Sequence, residues 1–322
     1  MTRYQKISKN LQQVVIDNPK IPNEDLIWID VSNAGKIEME YLRKNYNFNL
    51  NHIHASSAKT FAQRPTIDQG SGYLFLILHF PFFQNDIISA KEIDFFISSG
   101  YLITVHNNDE TGIISDFFNL CKKDGDSFLA FESQSSAVLL YEFLEKLIFS
   151  CYPMLDRISI ELTNIEDSIF AHEQKEAVTK ILSLRHNIIN FRKIMQSHKN
   201  ILKKLTDLGG KLIDDNTRHY YKGLIDHTKT IWEILDNQKE TIEILYQTNE
   251  SLLNYRMTDI MKTLTLVSVV LMPLTLLGSI FGMNTVVGMP FMSTKHGFWI
   301  IIGIMITISS GMLLFFKRKK WL

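Results

Sequence analysis

Six residues near the C-terminal end of the chain share one helical face. Met261, Leu264, Ser268, Met272, Thr275 and Ser279 step by 3, 4, 4, 3 and 4, the spacing that aligns side chains on an α-helix. Thioether and hydrocarbon alternate with hydroxyl, and no member of the stripe is charged. The stripe therefore offers neutral oxygens and apolar rings rather than acid–base chemistry. Small hydroxyls also pack helix against helix, and on these residues alone that reading stays open. Pro273, in the same run, leaves one backbone carbonyl without its usual donor. One hairpin of helices cannot enclose a water path, whereas several copies of the striped helix can, so a conducting role requires an oligomer. Gly282-Met283-Asn284 follows, at the point where the charge-free run from Leu264 to Phe281 ends.

The stripe is positioned by two apolar runs. Leu264 to Phe281 is eighteen residues, about 27 Å as a helix, close to the roughly 30 Å hydrocarbon thickness of a bilayer. Phe298 to Phe316 spans equally well, and residues 285–297 between them are too few for a domain. Lys317-Arg318-Lys319-Lys320 follows the second run, Arg256 and Lys262 precede the first, and the connecting loop has one Lys and no Arg. The positive-inside rule then predicts two spans with both termini in the cytosol, in the plasma membrane. The 322-residue chain has zero formal charge, but six of its 34 basic residues and none of its 34 acidic ones lie after Asp259. That leaves 28 basic against 34 acidic side chains over residues 1–259, a net of −6, and a membrane–cytosol division follows.

Upstream, the sequence predicts a large cytosolic body. The opening MTRYQKISKNLQQ has no apolar signal segment, and Cys121 and Cys151 have no metal-site or disulfide spacing. Over residues 1–135, Leu26–Val31, Tyr73–Phe80, Glu92–Ser98 and Tyr101–His106 read as strands, the last two as a hairpin about Ser99-Gly100. Ile37–Tyr46 and 112–122 read as helices. The fold class is α+β, joined by long helices to a two-helix transmembrane hairpin. Residues 136–263 read as a helical stalk broken at Gly209-Gly210. Within it Thr228, Ile231, Leu235, Gln238, Ile242, Leu245, Asn249 and Leu252 repeat by three and four along one helix that runs into the first span. The divisions are thus 1–135, 136–263, 264–284, 285–297, 298–316 and a basic tail, 317–322.

The segment MKTLTLVSVVLMPLTLLGSIFGMN, 261–284, resembles the first span and signature of CorA-type divalent-cation channels, whose hallmark is Gly-Met-Asn after a Pro-containing span. WIDVSN at 28–33, RPTIDQGSGYLFLILHF at 64–80, YLITVH at 101–106, IDHT at 225–228 and the terminal KRKKWL are similar to the family as well. The resemblance implies a funnel-shaped homopentamer whose first spans line a pore. It makes Gly282, Met283 and Asn284 a selectivity filter, Thr275 and Ser279 polar stations, Met272, Leu264 and Met261 apolar constrictions, and Thr258 the cytosolic mouth. Hydrated Mg²⁺ keeps its waters, so neutral oxygens that hydrogen-bond the hydration shell suit it. The implied activity is passive uptake of Mg²⁺, with Co²⁺ and Ni²⁺, closed by cytosolic Mg²⁺ bound at acids. Candidates for those acids are Asp86, Glu92, Asp94, Glu166, Asp167 and Asp226.

The partners implied are divalent ions, the bilayer and further copies of the chain, with no nucleic acid and no cofactor. No nucleotide loop and no convergent nucleophile and base appear, so an enzyme is not expected. A zinc or other transition-metal transporter on the same scaffold, and a non-conducting membrane-tethered sensor, are the alternatives. The loop TVVGMPFMSTKHG carries no acid to attract cations, while Met283 favours the magnesium/cobalt branch. His52-Ile53-His54 would be a metal pair only on a strand, and Trp28 reads as core.

Overall fold

The computed structural model describes residues 3–17, 25–57, 63–107, 112–123, 135–171, 173–210, 212–283, 290–291 and 295–321. Chain contacts divide into two units, Met1–Tyr246 and Gln247–Leu322. In the first, seven strands form one sheet: β1 (Arg3–Lys6), β2 (Leu11–Asp17), β3 (Asp25–Ser32), β4 (Thr66–Gln69), β5 (Leu74–Gln84), β6 (Ile87–Ser98) and β7 (Tyr101–His106). Their order is β1-β2-β3-β7-β6-β5-β4; β3 and β7 run parallel and every other pair antiparallel. The expected strands and the Ser99-Gly100 hairpin are present. β1, β2 and β4 are additional, and β5 continues through Pro81. That proline is tolerated because β4 pairs β5 only as far as Ile77, so beyond it one side of β5 needs no N–H for a ladder.

Alternation along the strands gives the sheet two apolar faces. On one, Ile29, Val31, Phe75, Ile77, Phe96, Ile103 and Val105 meet Met39, Leu42, Phe48 and Ile53 from α1 (Lys36–Tyr46), α2 (Leu50–Ala55) and the turn between them. On the other, Trp28 packs against Phe117 and Phe118 of α3 (Ile113–Lys123) and Phe143 of α4 (Ser136–Phe149). Helices α5 (Cys151–Phe170), α6 (Gln174–Met195) and α7 (His198–Leu208) follow, and α6 lies on β5 and β6. At the far end of β6, where β7 no longer pairs it, Asn187 accepts from the Ile88 N–H at 2.9 Å. Asn190 donates to the Ile88 carbonyl at 3.1 Å, so these buried edge groups are satisfied from α6.

The parallel ladder sets Asp30 beside Thr104 and Ser32 beside His106. The two segments 28–33 and 101–106 thereby make one buried polar cluster. Trp28 Nε1 donates to Thr104 Oγ1 at 3.2 Å, Thr104 donates to Asp30 at 2.8 Å, and Gln12 and His106 complete the carboxylate's shell at 3.2 Å each. Buried polar atoms held this way fix the register of a sheet that apolar contacts alone would let slide.

Helix α8 runs unbroken from Asp215 to Phe281, 67 residues and about 100 Å. Thr228, Ile231, Leu235, Gln238, Ile242 and Leu245 are all buried. Gln238 donates to the Leu155 carbonyl at 2.9 Å and to Ser159 at 3.0 Å. Arg185–Glu243 and Arg192–Asp236 pairs, both 2.9 Å, hold α6 to α8. The second unit comprises the C-terminal part of α8 and α9 (Gly297–Arg318); among the described residues, α8 and α9 are the two helices long and apolar enough to cross a membrane.

Candidate functional site

All seven expected lining residues, Thr258, Met261, Leu264, Ser268, Met272, Thr275 and Ser279, lie on α8 and are exposed. Met272 is 75% and Leu264 66% accessible. The partly covered residues of the same segment are Leu266, Val270, Pro273, Leu274, Leu277 and Phe281. At about 100° per residue the two sets occupy opposite sides of the helix. Leu266 and Val270 line a groove with Leu313 and Phe316 of α9, and Phe281 lines a second with Ile301 and Met305. One face of the span is therefore turned to α9, and the stripe is on the face that its own chain leaves uncovered.

The stripe's hydroxyls have a defined polarity. Ser268 donates to the Leu264 carbonyl at 2.9 Å, Thr275 to Met272 at 2.9 Å and Thr258 to Asn254 at 2.9 Å. With the O–H engaged inside the helix, what each presents outward is lone pairs, an acceptor surface. Water bound to a divalent cation presents hydrogens, so the two are complementary. Thr265, which the spacing pattern omits, does the same toward Met261 at 2.7 Å from one side of the stripe. Hydroxyl composition was the only signal for it.

At the end of the helix, Gly282 N–H donates to the Gly278 carbonyl at 2.9 Å and Met283 N–H to Ile280 at 3.3 Å. A Cβ at 282 would stand 3.0 Å from the Gly278 oxygen, tighter than ordinary contacts, so glycine lets this last turn close. Asn284 and most of the following loop lie outside the described residues.

The candidate regulatory acids are scattered. Asp86, in the β5–β6 turn at φ 63°, is paired with Arg157 at 2.5 Å, and that guanidinium also holds Glu161 and covers the Phe83 ring. Asp94 is 2% exposed, and one of its oxygens has no partner among the described residues. Burial, and then the nearby Glu92, push its carboxyl well above the usual range. Burial away from solvent disfavours the charged form that a cation ligand needs. Glu92 meets His79 at 3.2 Å. Glu166, Asp167 and Asp226 are exposed on α5 and α8. Among the described residues no three His, Cys, Asp or Glu side chains of one chain come together as a metal site. The segment 52–54 is helical rather than extended. His52 stacks on Phe75 at 4.5 Å and meets the Tyr73 hydroxyl at 2.8 Å, while His54 is exposed, so the two histidines do not share a face.

Comparison with known proteins places this architecture. The chain is 22% identical over 298 residues to the cobalt/magnesium transport protein CorA of Thermotoga maritima, covering 92% of this chain and 83% of that one. Its fold superposes on the complete structure of the CorA magnesium transporter from Methanocaldococcus jannaschii with a TM-score of 0.84 at 22% identity, over 98% of this chain and 100% of that one. The cytoplasmic domain of ZntB from Vibrio parahaemolyticus aligns at 0.59 and 14% identity, over 71% of this chain and 88% of that one. The family model described as CorA-like Mg2+ transporter protein matches residues 23–318, and with nearly its whole length inside that match the chain belongs to this family.

Proposed function

We propose that the chain is one subunit of a funnel-shaped homopentameric channel that admits hydrated divalent cations, Mg²⁺ foremost and Co²⁺ and Ni²⁺ with it, through the plasma membrane. The observation that carries this reading is the uncovered stripe on α8, exposed on the side of the helix away from α9. Five such faces around an axis give alternating rings. Thr275, Ser268 and Ser279 supply acceptor oxygens for the hydration shell, and Met272, Leu264 and Met261 supply apolar rings that close by excluding water. Thr258 stands at the cytosolic mouth, with both termini on that side. Gly282, Met283 and Asn284 form the outer filter, where a neutral amide and backbone oxygens orient the ion's water without stripping it.

Entry needs no cofactor and no chemical step. An inside-negative potential of 100 mV supplies about 2.3 kcal/mol per charge, so a divalent ion gains roughly twice that. Closure by cytosolic Mg²⁺ draws on acids from neighbouring copies, because the described residues of one chain gather no group of three. Glu166, Asp167 and Asp226 are the exposed candidates, Asp86 is already neutralised by Arg157, and Asp94 is withdrawn into the core.

Reconstitution in liposomes tests the reading. Mg²⁺ and Co²⁺ influx driven by an inside-negative potential is expected, with an altered ion profile in Asn284→Ala. No flux for any of Mg²⁺, Co²⁺, Ni²⁺ and Zn²⁺ overturns the channel, and flux of Zn²⁺ alone under a pH gradient transfers the assignment to a zinc transporter.

A further inference from the structure

The C-terminus of α9 ends in a specific turn. Trp321 N–H donates to the Phe316 carbonyl at 3.0 Å and Lys320 N–H to Lys317 at 3.1 Å, with Lys320 in the left-handed region at φ 56°. This pair of 6→1 and 5→2 bonds is the Schellman motif, which folds the chain back on its own last turn. Its accompanying apolar contact is present too: the Trp321 ring stacks on Phe316, centroids 6.0 Å apart and planes 7° from parallel. The turn thus does more than stop the helix. It stands the indole beside Phe316 at the rim of a groove of about 460 Å³ between α8 and α9.

The groove is amphipathic. Leu266, Val270 and Leu313 form its floor, and Lys262 lies on the α8 wall at the same end as Trp321. Lys317, Arg318, Lys319 and Lys320 lie within the turn that places Trp321. Against these five cations stands one acid, Asp259, on the same wall as Lys262. We propose that this groove is a binding site for a single anionic phospholipid. An acyl chain lies along the apolar floor, Trp321 sits at the level of the glycerol esters, and Lys262 with the terminal basic cluster takes the phosphate. Indole at the interface and lysine on headgroup phosphate are the contacts these side chains make at a bilayer surface. A hydrated cation is repelled by the same charges. A second copy of the chain would bring an identical basic cluster at the same depth, so the charge favours lipid over self-association here.

The full-length protein, reconstituted in vesicles of phosphatidylcholine with one part in five phosphatidylglycerol and re-extracted in mild detergent, gives the test. Retained lipid is counted by mass spectrometry. The ratio of phosphatidylglycerol to phosphatidylcholine in the retained lipid is expected at about thirtyfold that of the vesicle, the factor that two lysine–phosphate contacts of about 1 kcal/mol each supply. Trp321→Ala and Lys262→Gln should each bring the ratio down several-fold. Lys295→Gln, in the other groove, should leave it unchanged. A photo-crosslinking residue in place of Leu313, in an otherwise unaltered chain, should acquire the mass of one phospholipid. Retention of the two lipids in the vesicle's own proportion, an unchanged ratio in both Trp321→Ala and Lys262→Gln, or a crosslink between two chains at position 313 overturns the proposal. None of these readouts requires ion flux.

Discussion

Helix α8 carries two stripes with the same period and opposite fates. Between 228 and 245, positions spaced by three and four are buried by helices of their own chain. Between 258 and 279, positions spaced the same way are exposed, Met272 at 75%, although the segment is more apolar. Periodicity alone therefore reports that a helix has a face, not what covers it. In the first stretch the cover is intramolecular, and polar members such as Gln238 have fixed partners. In the second, Thr258, Ser268 and Thr275 satisfy their donors on their own helix and leave acceptors facing outward.

Substitutions that treat the two stripes alike should separate them. Leu235→Ala removes a fully buried side chain and should cost about 2–5 kcal/mol of stability, read by denaturant unfolding. Leu264→Ala should stay within about 0.5 kcal/mol in the same assay while raising Mg²⁺ leak into liposomes. If both melt equally, the two stripes are not different in kind. Gln238→Ala should cost roughly 1–3 kcal/mol, since it removes bonds to Leu155 and Ser159. Ser268→Ala should be nearly neutral to stability but should slow Mg²⁺ more than it slows a monovalent ion of similar size. Gly282→Ala presses a methyl on the Gly278 carbonyl and should lower flux several-fold with an unchanged melt.

Asp94 sharpens the contrast from inside the sheet, as a buried polar group whose carboxylate oxygen has no partner among the described residues. Its folded-state pKa lies above the unfolded value, so the native protein binds the extra proton. Stability from this group is complete below the unfolded carboxylate pKa, near 3.9, and declines as pH rises toward the folded one. Asp94→Asn should remove that decline, raising the melting temperature at pH 7 and not at pH 4. At roughly 2–4 °C per kcal/mol for a body of this size, a pH-resolved melt detects it. An equal effect at both pH values would mean that the carboxyl is not held protonated.

Much of this was legible in the residues. YLFLILHF and YLITVH are apolar and β-branched enough to fix β5 and β7, and a single uninterrupted helix follows from the lack of any breaker but Gly223 between 217 and 264. β1 and β2 were not, because RYQK and LQQVVID are mixed in polarity and become strands by pairing, β2 with β3 and β1 with β2. The helices over 136–208 read as stalk, yet α4 and α6 lie on the sheet, which their spacing could not specify. The Arg157–Asp86 pair joins residues 71 positions apart and leaves no local trace. The Schellman turn hides for another reason: it uses lysine where the left-handed position usually announces itself by glycine.

The sheet is bounded by β1 and β4, each four residues long, and every residue of β1 is exposed. Strands that short, one of them carrying Arg3 and Lys6, make poor templates for a neighbour's backbone. Pro81 interrupts the stretch of β5 that β4 leaves open, and Asn187 with Asn190 occupies the corresponding gap on β6. In the homopentamer proposed above, copies gather side by side and are exposed, during that gathering, to the wrong union, edge to edge through the sheet. Here the fold closes that route and leaves helix faces as the surfaces through which copies can recognise one another.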